Sequence, residues 1–343
     1  MIVNRISRNY LHLSLMMGLI VVGFSVLKAN AQTNSSEVTC NVSEGVPVVA
    51  KSRANSSHIR KNTAQQYKRI YSQPKVHLYP AAIVRLQGKA FLVERSGQNL
   101  TEQKMLYQGG ELQLGDVVQT GNQSFISLRL GDGTLSMLPS NSRIQLSQSS
   151  NSVGRFILQA GTVQNKVIKK PRARSNTFEI QTQGSMIGVR GTEFSVRGTE
   201  QGTSVVTLAV EEGKVWVRPR NSCVAPTIVD AGSGALIGLS TRKVPLLDAP
   251  NLKNADVAQP NEQLHFELKP VSGAVSYRAQ VLRDVNTLET LAEYYNREPD
   301  LTFDIPDLPN GYYYVKLTAF DDLGIESLSK TYLFLRNRNT RVE

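Results

Sequence analysis

The fold is decided by a short stretch, LRLGDGTL at residues 128–135. Leucines on both sides of the Asp132-Gly133 pair are typical of two antiparallel strands joined by a tight turn. The Asp-Gly pair supplies the positive φ that a primed two-residue turn needs. This stretch predicts a β-hairpin and indicates an all-β domain around it.

Short β-rich segments separated by glycine turns continue on both sides of this hairpin, from Leu78 to about Leu239. Three places share a glycine followed by the start of a strand, at Gly88, Gly161 and Gly213. The close spacing favours a sandwich, a barrel or a solenoid. These three similar positions, the glycine echoes, favour similar short hairpins stacked on one another.

Three blocks of this region resemble the FecR domain and stand in that family's order. They are LGDVVQTG at 114–121 with SLRLGDGT at 127–134, FEIQT at 178–182 with VRGTEFSV at 189–196, and Val205–Val210 with EGKV at 212–215. The predicted domain spans residues 78–240. We interpret its motif positions as structural, with turns or close backbone approach at the glycines. These positions are Gly115, Asp116, Thr120, Gly131, Asp132, Gly133, Arg190, Gly191, Thr192, Phe194 and Gly213. Anion binding by Arg190 is the alternative interpretation of that residue.

The resemblance implies a periplasmic sensing or interaction domain that is not a catalyst. In the family's namesake regulators a cytoplasmic segment and a membrane helix precede this domain. Here we expect an export signal instead, so the chain is similar to the stand-alone exported FecR proteins. We therefore expect no direct control of a sigma factor.

A second unit follows a proline-bounded joint at Pro245–Pro250 and spans residues 248–338. Its alternating strands predict a smaller β-sandwich. The segments PVSGAVSY at 270–277 and LPNGYYYV at 308–315 resemble a fibronectin type III domain. Phe266 stands where that family often has a tryptophan, and we expect Tyr312 or Tyr314 to fill the buried tyrosine position.

The N-terminus has the composition of a cleaved signal peptide, residues 1–31. Arg5 and Arg8 precede an apolar run from Leu13 to Leu27, which ends at an A-x-A site at 29–31. Such a run is short for a membrane span, although an uncleaved anchor remains the alternative. We expect a periplasmic or secreted protein of a Gram-negative-type bacterium, without a stable span after cleavage. Residues 32–77 are interpreted as a basic polar leader.

The formal net charge of the chain is +11, and loss of Arg5, Arg8 and Lys28 with the signal leaves +8. An excess of this size favours anionic envelope polymers or lipid head groups, and it also aids solubility. Export and the lack of a nucleic-acid module argue against nucleic acid. The strongest candidate contact is a basic loop between two predicted strands. Its cations are Lys166, Lys169, Lys170, Arg172 and Arg174. A merely soluble connection is the alternative.

Two cysteines, Cys40 and Cys223, are present. An oxidising compartment permits a bridge between them, but they could equally stay free or cross-link two chains.

No residue pattern indicates catalysis, a cofactor or a metal. His58, His77 and His265 have no metal-ligand neighbour at the usual spacing. Glu211 and Glu212 are adjacent on a predicted strand, so their side chains point to opposite faces and cannot flank one bond. We therefore expect a protein that is not an enzyme.

Two classes of function remain open. The first is an envelope binding or scaffold protein that contacts cell-wall glycan or a partner protein. The second is a periplasmic signal-receiving partner of an envelope regulatory system. The oligomeric state is left open.

Overall fold

The structure is a computed structural model. It describes residues 80–96, 99–148, 153–169, 178–198, 205–220, 224–253, 258–285, 290–306 and 308–338. The signal peptide, the basic leader and both cysteines lie outside the described residues. So do Lys170, Arg172 and Arg174 of the basic loop.

Strand is the only regular secondary structure in the ranges just given, so the all-β prediction is confirmed. The strands before residue 246 form two antiparallel ladders that share one long strand. They are β1 (Ala81–Gln87), β2 (Ala90–Ser96), β3 (Asn99–Met105), β4 (Glu111–Leu112), β5 (Val117–Thr120), β6 (Phe125–Arg129), β7 (Leu135–Leu138), β8 (Arg143–Gln148), β9 (Gly154–Lys166), β10 (Phe178–Gln181), β11 (Ser185–Val189), β12 (Glu193–Gly198), β13 (Val206–Glu212), β14 (Lys214–Pro219), β15 (Thr227–Asp230), β16 (Ser233–Ile237) and β17 (Thr241–Pro245).

The first ladder, sheet A, has the order β4-β1-β6-β7-β9-β12-β13-β16-β17. The second, sheet B, has the order β3-β2-β5-β8-β9-β10-β11-β14-β15. All neighbours are antiparallel except β9 and β10, which are parallel. Alternate side chains of both sheets meet in one apolar core, which includes Ile126, Phe156, Phe178 and Leu208. Of the architectures left open, this is a sandwich of short hairpins that alternate between its two sheets.

The three glycine echoes mark corners at which the chain passes from one sheet to the other. Gly88 separates β1 from β2, Gly161 lies within β9, and Gly213 separates β13 from β14. Their φ angles are 73°, 75° and 85°, in the left-handed region that favours glycine. The repeat seen in the sequence is therefore a repeat of sheet corners.

The hairpin at residues 128–135 is present, but its turn differs from the predicted one. With Asp132 and Gly133 at its centre, a type I′ turn requires positive φ at both residues and a type II′ turn requires it at Asp132. Only Gly133 has a positive φ (86°). Gly133 N donates to Leu130 O at 2.8 Å, and Leu130 N donates to Thr134 O at 2.9 Å. These bonds are typical of a type I turn followed by a glycine in the left-handed region. The carboxylate of Asp132 accepts from Thr134 N at 2.9 Å and stabilises this turn.

The C-terminal unit is a second sandwich, as the sequence predicts. Its strands are β18 (Asn251–Leu252), β19 (Ala258–Gln259), β20 (Leu264–Lys269), β21 (Ser276–Leu282), β22 (Thr290–Asn296), β23 (Asp300–Phe303), β24 (Gly311–Phe320) and β25 (Lys330–Arg336). Sheet C has the order β18-β20-β23, and sheet D has the order β19-β25-β24-β21-β22. Phe266 packs edge-on against Phe334 in the core between them, with ring centroids 5.3 Å apart.

The buried tyrosine of this sandwich is Tyr313, so the choice of Tyr312 or Tyr314 was wrong. Tyr313 is 3% exposed, whereas Tyr312 is 68% exposed. Odd-numbered side chains of β24 face the core, and Val315 and Leu317 continue that phase. The Tyr313 hydroxyl donates to Pro309 O at 3.1 Å, which matches the tyrosine corner of such sandwiches.

Candidate functional site

The outer face of sheet A is covered by the C-terminal sandwich. One row of cross-strand partners runs across this face: Ser127, Met137, Gln164, Ser195, Ala209 and Gly234. Met137 is fully buried and Gln164 is 8% exposed, although neither belongs to the core of its own domain. An outer sheet face normally contacts water. Here small and uncharged side chains instead form half of a domain interface.

The other half is the outer face of sheet D. Arg278, Gln280 and Thr318 point away from the core of their own sandwich and are 1%, 3% and 1% exposed. Two of them are direct partners on neighbouring strands, Arg278 and Thr318. The interface is therefore made largely of polar groups that need hydrogen-bond partners.

Glu326 provides the central partner. Its carboxylate accepts two hydrogen bonds from the Arg278 guanidinium, at 2.9 and 3.1 Å. It also accepts from Nε2 of Gln164 on the first domain, at 3.2 Å. The ion pair lies within the second domain, but the first domain supplies a third contact and excludes water from it.

The charges of this pair reinforce each other. Burial is the largest effect on Arg278 and lowers its pKa, but the interactions with Glu326, Tyr295 and Glu293 together raise it overall. Burial is also the largest effect on Glu326 and raises its pKa, but the charge of Arg278 and the hydrogen bonds from Arg278 and Gln164 together lower it overall. Both groups are therefore ionised in the folded chain, where each neutralises the other.

A second ionic contact joins the two domains directly. Nζ of Lys316 on β24 lies 2.7 Å from Glu193 and 2.9 Å from Glu211, which lie on β12 and β13. Burial is the largest effect on Glu193 and raises its pKa, but the charges and hydrogen bonds of Lys316 and Lys166 together lower it overall. The hydroxyl of Ser329 also donates to Glu211. Glu212, on the opposite face of β13, is exposed, as the alternation of strand side chains predicts.

Met137 is the apolar centre of the interface. Its sulfur lies 3.4 Å from Nε2 of Gln280 and 3.4 Å from the hydroxyl of Thr290. The same Gln280 amide also donates to Oε1 of Gln164 at 3.1 Å. A polarisable thioether fills such a mixed site because it packs closely and still accepts weak hydrogen bonds.

The proline-bounded joint is fixed by backbone hydrogen bonds to both domains. Leu246 N donates to Gly232 O at 3.1 Å, and Leu247 O accepts from Leu328 N at 3.0 Å. A Cβ on Gly234 would lie 2.9 Å from Ile325 and 3.0 Å from Leu246. The first domain, the joint and the second domain therefore pack as one body.

A cleft of about 290 Å³ opens beside this interface, where the two sheets diverge. Ser140, Thr162, Ser195, Arg197 and Thr207 line it from the first domain. The second domain contributes Arg278, Tyr295, Phe320 and Glu326. It is the candidate binding site, because polar and aromatic groups from both domains converge on one concavity.

The predicted motif residues lie at turns, strand starts and core positions of the first domain. The Thr120 hydroxyl donates to Pro139 O (2.6 Å), and the Asp116 carboxylate accepts from Gln113 N (2.7 Å). The Thr192 hydroxyl donates to Lys214 O (3.2 Å), and Phe194 is 3% exposed in the core. Their positions stabilise corners of the sandwich, and none of these four lines the cleft. For Arg190, Nε is buried and has no partner among the described residues.

Two cations of the predicted basic loop are described. Lys166 lies 3.5 Å from Glu193 and so belongs to the ionic contact between the domains. Lys169 is exposed, and a Cβ on Gly191 would lie only 2.4 Å from its own Cβ. The structure places these two lysines at different ends of a short segment with different surroundings. Anion binding by the loop stays a prediction.

His265, the remaining candidate among the described residues, lies apart from the cleft. His265 is half exposed and lies 3.3 Å from Asp300. Within the described ranges, no group of His, Cys, Asp and Glu could hold a metal ion. No helix in that same part of the chain has the length and apolarity needed to cross a membrane.

Sequence reasoning did not find the interface or the cleft. Arg278 and Lys316 look like ordinary surface residues of a sandwich, because strand alternation places them outside their own core, and Glu326 lies between β24 and β25. One signal was available. Met137 falls on the outer face of a predicted hairpin, where a large apolar side chain indicates a covered surface.

Parts of this chain are similar to solved structures and to one family model. No curated protein matches the chain. Two solved structures of a protein from Parabacteroides distasonis, described as an anti-sigma factor, each share 16% identity with a TM-score of 0.32. They match 38% of this chain and 59% of their own length. Fibronectin(III)-like modules of CbhA from Clostridium thermocellum share 13% identity over 58% of this chain and 97% of theirs, with a TM-score of 0.22. Scores this low carry no functional argument.

The family comparison is more specific. Residues 116–234 match the family model described as FecR protein. The match begins at Asp116 and ends within β16, so it covers most of both sheets of the first sandwich. Over residues 116–234, the first sandwich therefore resembles the FecR protein family.

Proposed function

We propose that this protein is a non-catalytic envelope protein, exported to the periplasm, that binds and holds cell-wall glycan or a partner protein. The observation that supports the proposal is the interface between its two sandwiches. Buried ion pairs and a hydrogen-bonded joint fix two binding surfaces in one orientation. A fixed orientation suits a protein that holds its ligands in a defined geometry, because no ordering cost is then added on binding.

The test is a crosslinked pull-down of the mature chain from whole envelopes, with and without muramidase digestion. Loss of retention after digestion is the result expected for cell-wall glycan. Retention of the chain in complex with one dominant envelope protein is the result expected for a protein partner. Absence of retention under both conditions contradicts the proposal.

A matched pair of variants tests whether the fixed orientation matters. Lys316→Glu places a third carboxylate beside Glu193 and Glu211 and should separate the domains. Lys253→Glu makes the same charge change at an exposed ion pair with Glu267 inside the second domain. Retention should fall for the first variant and not for the second. Equal retention of both variants contradicts the role of the interface.

The basic loop gives a second contact for the same function. Serine in place of Lys169, Lys170, Arg172 and Arg174 should weaken pelleting with envelope polymers, because a cluster of positive charge is lost. The effect should be larger at low salt, where surface charges are screened less. Unchanged pelleting at low salt would exclude the loop.

A second candidate function is that of a signal-receiving partner in an envelope regulatory system. The match of residues 116–234 to the FecR family favours it. In that case the pull-down should recover a sensor or transporter in a fixed ratio, and muramidase digestion should have no effect.

A further inference from the structure

The cleft has a polar floor on the first domain. Thr162, Arg197 and Thr207 are direct cross-strand partners on β9, β12 and β13, so their side chains stand in one row on the outer face of sheet A. The next row contains Ser195, which also lines the cleft. The spacing of neighbouring strands therefore places these polar groups side by side, about 5 Å apart.

The hydroxyls of this floor are available to a ligand. Those of Thr162, Ser195 and Thr207 make no hydrogen bond within the described part of the chain. Ser195 and Thr207 are only 9% and 8% exposed, and both line the cleft. A ligand that supplies several hydrogen-bonding groups at once can pair with all three hydroxyls.

The opposite wall is aromatic. The rings of Tyr295 and Phe320 lie 5.9 Å apart at 39° to each other, and Tyr295 is 45% exposed. The Arg278 guanidinium lies 5.2 Å from the Phe320 centroid and 6.0 Å from that of Tyr295. An aromatic wall opposite a row of hydroxyls matches a sugar ring, which has an apolar C–H face and polar edges.

The charge of the cleft favours an anion. Glu326 is already neutralised by Arg278 and accepts a hydrogen bond from Gln164. Arg197 is exposed and has no ion pair among the described residues. Its guanidinium is held beside the β24–β25 turn, where a Cβ on Gly324 would lie 3.0 Å from Nη1. Gly324 has a φ of 73° and lets the turn approach that closely.

We propose that this cleft binds a sugar residue that carries a carboxylate. The ring stacks on Tyr295, its hydroxyls bind the floor, and its carboxylate pairs with Arg197. The volume of about 290 Å³ suits one or two rings, at the lower end of the range of small-molecule sites. The inference rests on the proposed envelope-binding function and names the chemical class that the site takes.

The test uses the mature chain and three defined probes, with saturation-transfer NMR for contact and titration calorimetry for affinity. N-acetylmuramic acid and glucuronic acid carry the carboxylate, and N-acetylglucosamine is the neutral reference. We expect the acids to bind and the neutral sugar to bind more weakly. A preference for the muramic acid would identify the cell wall as the source of the ligand, and a preference for the uronic acid would identify another envelope polysaccharide.

Two variants locate the binding in the cleft. Arg197→Gln should weaken binding of the acids roughly tenfold to hundredfold, because it removes a charge-assisted hydrogen bond. Thr207→Val keeps the shape of the side chain and should weaken binding severalfold. Arg218→Gln and Thr227→Val, on sheet B, are the matched controls and should bind like the wild type. Equal affinity of Arg197→Gln and wild type overturns the proposal, as does the failure of both acids to bind.

Failure of this inference can be separated from failure of the proposed function. Retention of the wild-type chain on envelopes, combined with no binding of either acid, would overturn the inference and leave the function standing. If the wild-type chain were not retained on envelopes and also bound neither acid, the proposed function would be contradicted as well.

Discussion

Nζ of Lys316 lies 2.7 Å from the carboxylate of Glu193, and this contact connects the two domains through residues that are 123 positions apart in the sequence. Both side chains are largely buried, with 16% and 19% of their surface exposed. The contact exists only in the docked arrangement, so it reports on docking.

The first prediction concerns this contact. Lys316→Met should lower the free energy of unfolding by about 1–3 kcal/mol, because Glu193 and Glu211 lose their shared partner. Denaturant unfolding monitored by fluorescence measures it. Lys253→Met removes one side of the exposed Lys253–Glu267 pair and should cost less than about 1 kcal/mol. Equal losses for the two variants would show that the interface contributes nothing beyond a surface pair.

The second prediction concerns the buried pair of Arg278 and Glu326. Glu326→Leu should destabilise the chain by about 3–5 kcal/mol, because the guanidinium then remains buried without an opposite charge. The double variant Arg278→Met with Glu326→Leu should recover most of that loss, since no charge is left to desolvate. Thermal unfolding of both variants at one pH provides the comparison. A double variant no more stable than Glu326→Leu would contradict this account.

The third prediction is a pH dependence. The pKa values of Glu193 and Glu326 are both lowered from the ordinary value of 4.5. Burial raises each pKa, but the charges and hydrogen bonds of the surrounding groups, led by Lys316 for Glu193 and by Arg278 for Glu326, together lower it. The folded chain therefore binds their protons less tightly than the unfolded chain. The stability that Glu193 and Glu326 contribute is therefore complete above about pH 4.5. It is lost as the pH falls through the pKa values that they have in the folded chain.

Glu293 acts in the opposite direction. Burial raises its pKa, despite the nearby charge of Arg278, so its protonation favours the folded chain as the pH falls towards 4.5. We therefore expect a loss of stability that begins below about pH 4.5, measured by melting temperature between about pH 6 and pH 3. Glu193→Gln should show a shallower loss there, whereas the exposed Glu267→Gln should follow the wild type. A profile of Glu193→Gln parallel to that of the wild type would contradict the assignment.

The fourth prediction tests the register of β24. Tyr313→Phe should lower the free energy of unfolding by about 1 kcal/mol, because its hydroxyl no longer donates to Pro309 O. Tyr312→Phe changes an exposed side chain and should have no measurable effect. The two variants lie at neighbouring positions, and each removes only a hydroxyl group. A larger loss of stability for Tyr312→Phe than for Tyr313→Phe would contradict this register and would support Tyr312 as the buried tyrosine.

The fifth prediction concerns a sheet corner. Gly161→Ala should cost more than about 2 kcal/mol, because its φ is 75° and the added Cβ would lie 2.5 Å from the backbone of Ser142. Gly109→Ala has a φ of 86° but open space around it, so it should cost about 1 kcal/mol. Denaturant midpoints separate the two contributions. Equal losses of stability for the two variants would mean that the positive φ alone causes the loss and that the contact with Ser142 adds nothing.

Local sequence patterns predicted most of the fold within each domain. Alternation and turn residues located both sandwiches, and the glycine echoes at Gly88, Gly161 and Gly213 indicated a repeated structural unit. The phase of the tyrosine run was misread because three tyrosines in succession carry no alternation. The odd-numbered Val315, Leu317 and Ala319 just beyond them do carry it.

The candidate site was beyond such patterns for a physical reason. Strand alternation indicates which side chains leave their own core, but not what covers them afterwards. Gln164, Arg278 and Glu326 meet because two outer faces dock, and the sequence separation between the first two is more than a hundred residues. Charged residues at both faces gave the appearance of two ordinary solvated surfaces.

The fully buried Met137 has a consequence for how this chain could be recombined. Sandwich domains that follow one another in a chain are commonly treated as independent units that can be exchanged. Grafting an unrelated sandwich after Pro245 would leave the thioether of Met137 and the amide of Gln164 facing a surface without the groups that match them. The smallest part of this protein that keeps its contacts is therefore the pair of sandwiches, and the first sandwich excised alone would expose the face that now contacts the second.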